Sequence, residues 1–166
     1  MNRILLVLLL LSAIIYGCGK SGVDPLVQYR AQAAIDDKIV SDYIAANAGL
    51  NAKRIDTSGV YYIIKDGEEG SGNVLYTSST QITVGYTAKI LTSGTVIAST
   101  DKFHPTYILG GVLRGWQLGI PKIKPGGNIR LLVPSRYAYG PYAQDSLHLP
   151  ANSVLDFQIQ LYNVTN

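Results

Sequence analysis

Cysteine is almost absent from this 166-residue chain: Cys18 stands alone, so no disulfide within the chain can hold the fold. Tryptophan is equally scarce, with Trp116 alone, and two phenylalanines stand against twelve tyrosines. Charged residues make up 15% and form no cluster or stripe of lysine and arginine, which argues against nucleic acid as a partner. The two histidines, His104 and His148, lack a metal-ligand spacing. No glycine-rich phosphate loop follows a strand pattern, and no serine sits in a nucleophile elbow. The expectation is a protein without metal or organic cofactor.

What is present begins with "MNRILLVLLLLSAIIYGCGKSG": one positive charge at Arg3, an apolar run from Ile4 to Leu11, then small residues before Cys18. This reads as a secretory signal, its run too short to span a bilayer comfortably. The ending "IYGC" resembles a lipobox, in which Cys18 becomes the lipidated first residue of the mature chain. Its being the sole cysteine, with Gly17 before it, favours that reading over a membrane anchor or a buried thiol. A diacylglycerol thioether plus an N-acyl chain would hold the protein firmly on a membrane. Cleavage would remove Arg3 and lower the formal charge of +3 by one.

The length suits one main domain. The division expected is a signal peptide over 1–17, a lipidated tether over 18–33, an N-terminal helical segment over 34–58 and a folded domain over 59–166. Helical composition itself sets in near Pro25 and runs to Ala46, with Ile35, Ile39 and Tyr43 four residues apart. That segment is a docking helix, a dimerisation arm, or a helix packed on its own domain. "NAGLNAKRIDTSG" breaks it.

After Gly59 the period becomes two. "VYYIIK" (60–65) alternates, and "QITVGYTAKIL" (81–91) gathers Ile82, Val84, Tyr86, Ala88 and Ile90 on one face. "NIRLLVP" (128–134) and "VLDFQIQLYNV" (154–164) do the same for Ile129, Leu131 and Val133, and for Leu155, Phe157, Ile159 and Leu161. Ser93-Gly94 and Gly126-Gly127 are turn signals between these strands. "GGVLRGWQLGI" (110–120) reads as one short helix, with Leu113, Trp116 and Ile120 at helical spacing and Pro121 to end it. A half-apolar antiparallel sheet needs a cover, which this helix supplies, so the fold class is α+β.

Tyr86, Ile97, Tyr107, Trp116, Tyr139 and Phe157 form an aromatic and aliphatic set with little charge around it, suited to a pocket for an apolar group. Four stretches carry a resemblance: "GYTAKILTSGTVIAST", "YILGGVLRGWQLGI", "RYAYG" and "LPANSVLDFQIQL". In this order and spacing they resemble the FKBP-type peptidyl-prolyl cis-trans isomerases, over roughly residues 59 to 164. The resemblance implies a twisted antiparallel sheet of five or six strands wrapped around one short helix, with the substrate proline entering between them. It implies Trp116 as the pocket floor, flanked by glycines that admit the proline ring and let the helix approach the sheet. Tyr86, Ile97, Tyr107 and Phe157 would form the walls. It also implies main-chain contacts to substrate at Val112 and Leu113, a hydroxyl donor at Tyr139, and an aliphatic cover at Leu149.

Read as a whole, the chain resembles an isomerase acting on Xaa-Pro segments of unfolded or exported proteins, lipid-anchored at the bacterial cell envelope, on the outer membrane. The alternative is a chaperone or proline-peptide binding module on the membrane surface that turns nothing over. Two departures from the family point to reduced activity. Ala98 stands where the family has an acidic residue at the pocket edge, and Pro105 where an aromatic wall residue is common. The segment between Gly110 and Val112 is shorter by about two residues than in the family, and Asp101 is read as a solvated loop residue rather than a substitute acid.

Overall fold

A computed structural model describes residues 24–166. The signal peptide, Cys18 and the first part of the tether lie outside the described residues. Order begins earlier than the tether reading allows: Pro25–Ala46 is a single helix, α1. "DP" is a start signal, since the Asp24 carboxylate accepts the Leu26 N–H at 2.8 Å and Pro25 brings a preset φ to the first helical position. Residues 25–33 are therefore helix, not tether.

Seven antiparallel strands follow: β1 (Lys53–Ile55), β2 (Val60–Ile63), β3 (Gln81–Ile90), β4 (Val96–Ser99), β5 (Thr106–Ile108), β6 (Asn128–Val133) and β7 (Leu155–Thr165). Six lie in the order β1-β2-β6-β7-β3-β4, and β5 shares the free edge of β3 with β4. β1 falls inside the stretch read as a break, where three residues carry no visible alternation; its pairing with β2 makes it a strand. Between β4 and β5 the edge of β3 is closed by a loop whose Thr100 N–H donates to the Tyr86 carbonyl and whose Pro105 carbonyl accepts the Val84 N–H. β3 bulges twice, at Thr83/Val84 against β7 and at Ala88/Lys89 against β4, which bends the sheet around its contents.

The second helix, α2 (Arg114–Gly119), lies on the inner face. It starts after Leu113, which caps it instead of joining it. Helical bonding stops at Gly119, before Pro121, and Ile120–Lys122 continues as a 3-10 turn. Gly115 and Gly119 face β6: a Cβ at Gly115 would sit 2.5 Å from a methyl of Val133, and one at Gly119 2.5 Å from both δ-methyls of Leu131. The glycines thus let the helix approach the sheet. They do not clear a path to the indole.

Successive residues of a strand serve opposite faces. Leu131 joins Ile82, Val84, Leu155, Phe157 and Trp116 in the inner core, whereas its neighbour Leu132 joins Val40, Ile63, Leu91 and Val154 in a smaller cluster on the outer face. The C-terminal half of α1 covers that outer cluster, so α1 is packed on its own domain through Val40 and the half-buried Ile39, Tyr43 and Ile44. Polar clamps flank the apolar contact. Arg130 holds Asp156 with two bonds of 2.8 and 3.0 Å and donates to the Tyr43 hydroxyl at 2.6 Å. The Asp156 carboxylate keeps the Arg130 guanidinium charged to well above its ordinary value. Arg136 reaches the Asp37 carboxylate and the Ser58 carbonyl, each at 2.7 Å.

Candidate active site

Trp116 is 4% exposed, and three rings stand nearly perpendicular to its indole: Tyr86 at 4.9 Å, Phe157 at 5.4 Å and Tyr107 at 6.3 Å between centroids, with interplanar angles of 82°, 87° and 80°. Each ring comes from a different element: β3 gives Tyr86, β5 Tyr107, β7 Phe157 and α2 Trp116. A T-shaped contact sets the positive edge of one ring against the negative face of the other and is a favoured geometry for such pairs. The set divides by depth. Trp116, Phe157 and Leu149 are buried, while Tyr86, Ile97, Tyr107, Val112, Leu113 and Tyr139 are half-buried around them. Every pocket residue named from sequence therefore belongs to one contiguous cluster. Leu149, on the loop between β6 and β7, is 2% exposed and packed into the core rather than standing free above the site.

The indole N–H is a buried donor with no acceptor, the single side-chain group of this kind among the described residues. Leaving such a donor unpaired costs on the order of 1–3 kcal/mol. A second free donor lies at the mouth: the Leu113 N–H, at the N-cap of α2, has no acceptor among the described residues. The Val112 carbonyl is already engaged, because the Gln117 amide donates to it at 2.8 Å and to the Gly110 carbonyl at 3.2 Å. Gln117 thus braces the entrance, a role no spacing in the sequence announces.

Burial, reinforced by the neighbouring Tyr107 hydroxyl and by Tyr139, pushes the Tyr86 phenol up to about 12. Burial, and then Tyr107, raises the Tyr139 phenol as well. Tyr86, Tyr107 and Tyr139 all pack, half-buried, against the cluster that contains Trp116. Both raised phenols keep their protons at neutral pH, so each has an O–H that can donate a hydrogen bond and neither is a phenolate base.

Ala98 lies beside Ala88 in the β3–β4 pair, half-buried against the inner core, and brings no polar atom to the rim. Asp101 occupies an exposed turn at φ 43°, where its carboxylate accepts the Ser99 hydroxyl at 2.9 Å. It lines an open cleft of about 640 Å³ on the outer face with Lys65, Gln158 and Gln160. A second cleft of about 730 Å³ lies beside β1 and β2. Trp116 lines neither of them; Tyr86 and Tyr162 border the first and Tyr62 the second, among mostly polar and charged residues. Among the described residues no cluster of three or more His, Cys, Asp or Glu side chains could hold a metal ion.

Comparison with known proteins meets this geometry. Residues 73–162 match the model of the FKBP-type peptidyl-prolyl cis-trans isomerases. The FKBP-type peptidyl-prolyl cis-trans isomerase FkpA of Buchnera aphidicola subsp. Schizaphis graminum is 35% identical over 111 residues, covering 66% of this chain and 42% of that protein. FK506-binding protein 1 of Saccharomyces cerevisiae is 34% identical over 98 residues, covering 57% of this chain and 85% of that protein. The chain thus spans less than half of the first relative and most of the second. In fold it is similar to a peptidyl-prolyl cis-trans isomerase of Pseudomonas syringae pv. tomato, with a TM-score of 0.68 at 20% identity over 82% of this chain and 96% of that one. It is also similar to FkpA of Escherichia coli, with a TM-score of 0.62 at 22% identity over 99% of this chain and 83% of that one. A matched segment that contains the short helix, the indole and all of its ring partners leaves one assignment: the chain belongs to the FKBP-type peptidyl-prolyl cis-trans isomerase family.

Proposed function

We propose that this protein is a working peptidyl-prolyl cis-trans isomerase that takes Xaa-Pro segments of exported proteins at the bacterial cell envelope, anchored to the outer membrane through lipidated Cys18. The observation that carries the reading is the combination at one site of an apolar aromatic floor, phenols held in their donor form, and main-chain and indole N–H groups without acceptors. Xaa-Pro rotation faces a barrier of about 18–20 kcal/mol, set by conjugation of the amide. No acid or base is needed to cross it. A site that holds the twisted amide better than the planar one lowers the barrier, because the twisted form has lost amide resonance and suffers less on leaving water. The proline ring rests on the Trp116 face, between Tyr86 and Phe157. The Tyr139 hydroxyl and the Leu113 N–H donate to carbonyls of the bound chain and fix its direction.

Activity is lower than in a relative with the rim acid, because Ala98 cannot accept a hydrogen bond. The full chain in mild detergent should speed cis-to-trans relaxation of a short Xaa-Pro peptide, and Ala98→Asp should speed it further. Absence of acceleration by both proteins would end the isomerase reading. Metabolic labelling with a radioactive fatty acid should mark the chain and fail on Cys18→Ala; equal labelling of the two would remove the anchor.

One observation favours the chaperone alternative as a second activity. Phe103, on the loop between β4 and β5, is 71% exposed, and Tyr142, on the loop between β6 and β7, is 72% exposed. Exposed aromatics on these two loops suit capture of unfolded apolar segments.

A further inference from the structure

Asp36 is 0% exposed, in the middle of α1, and its carboxylate is fully engaged. Gln32 donates to Oδ1 at 2.8 Å; Ser135 donates to Oδ2 twice, from its backbone N–H at 2.8 Å and from its hydroxyl at 2.7 Å. Arg136 lies 3.9 Å from the same oxygen. Simple attachment of a helix does not need this. Val40 and its apolar neighbours already supply an attachment, and a buried carboxylate carries a desolvation cost that apolar contacts avoid. What a buried polar contact adds is a fixed direction and register.

The residue so fixed is a hub. The Ser135 carbonyl accepts the Ala138 N–H at 2.9 Å and the Gly140 N–H at 2.8 Å, so the residues on either side of Tyr139 are tied to the one that Asp36 grips. Arg136, next in sequence, is anchored to α1 by the Asp37 carboxylate and the Ala33 carbonyl. The family-matched segment, 73–162, contains Ser135 and Tyr139 but not Asp36. The grip therefore comes from the N-terminal helix, outside the matched domain.

We propose that Asp36 is a positioning residue for the proline site: through Ser135 it holds the turn that aims the Tyr139 hydroxyl, so that α1 sets the catalytic competence of a pocket it does not touch. The proposal rests on the reading of Tyr139 as a substrate donor.

The test uses the full chain with Asp36→Asn, Ser135→Ala, Tyr139→Phe and the combination of Asp36→Asn with Tyr139→Phe. Asp36→Asn should lower kcat/KM about fivefold, the scale of one hydrogen bond at the site. Ser135→Ala, which keeps its backbone donor, should lower it less. In the Tyr139→Phe background the same Asp36→Asn change should have almost no further effect, because the hydroxyl it aims is gone. Equal losses in both backgrounds would overturn the proposal and leave Asp36 a stabilising contact only. Hydrogen exchange gives a readout that needs no turnover. The amides of Ala138 and Gly140 should exchange faster in Asp36→Asn while those of β6 and β7 keep their rates, and unchanged exchange at the two turn amides would equally overturn it. If the unmodified protein shows no isomerase activity, the functional reading fails, and the exchange result still decides whether Asp36 holds the turn.

Discussion

The two faces of the sheet are held by different physics. On the inner face, α2 lies so close to β6 that a methyl group at Gly115 or Gly119 would collide with Val133 or Leu131. On the outer face, α1 rests on a small apolar cluster and is clamped by Arg130–Asp156 and by Arg136 with Asp36 and Asp37. The inner contact is limited by shape, the outer one by charge and hydrogen bonding. A site that grips an apolar ring needs the first kind, since close packing keeps Trp116 and its ring partners in place. A helix outside the matched family domain is held by the second kind, which specifies direction at some cost in stability.

Truncation on the inner face should produce the largest effect. Leu131 is 0% exposed, and Leu131→Ala should cost about 2–5 kcal/mol in denaturant unfolding. Gly119→Ala should cost about 1–3 kcal/mol by overpacking against Leu131. Replacing both members of the outer pair, Arg130→Met with Asp156→Leu, should leave stability near its starting value, because well-packed apolar residues often replace a buried ion pair without loss. A large loss from the double replacement, or a harmless Gly119→Ala, would erase the distinction between the faces.

A smaller effect separates the faces by pH. The Tyr86 phenol is raised on folding from 10.0 to about 12, so the folded state keeps a proton that the unfolded chain releases. Its contribution to stability is fully present below pH 10 and is lost as pH rises through about 12. Absorbance of tyrosinate near 295 nm should show this phenol titrating last, and Tyr86→Phe should remove that step.

Much of the architecture was legible in the alternation along β2, β3, β6 and β7, because each of these strands divides its residues between a core face and a wetter one. β1 and β5 were not. Three residues cannot display a period, and their pairing partners, Val60–Tyr62 and Gln81–Thr83, lie elsewhere in the chain. The aromatic set was legible as types and as a family pattern; its T-shaped geometry depends on β3, β5, β7 and α2 meeting, and no local signal joins elements so far apart in the chain. Ser135 and Asp36 lie 99 residues apart, and no local signal joins them. The glycines beside Trp116 bring helix and sheet together, as the family resemblance implies, but they face β6 and give the indole no opening, which only the packing shows.

The central claim is that Trp116 is the floor of a proline-binding site. As the chain's one tryptophan it reports on that site alone. The most direct measurement is its fluorescence during titration with a short Xaa-Pro peptide and with the same peptide carrying alanine in place of proline. The proline peptide should give a saturable change in emission and the alanine peptide little. Equal responses to the two peptides, or none to either, would contradict it.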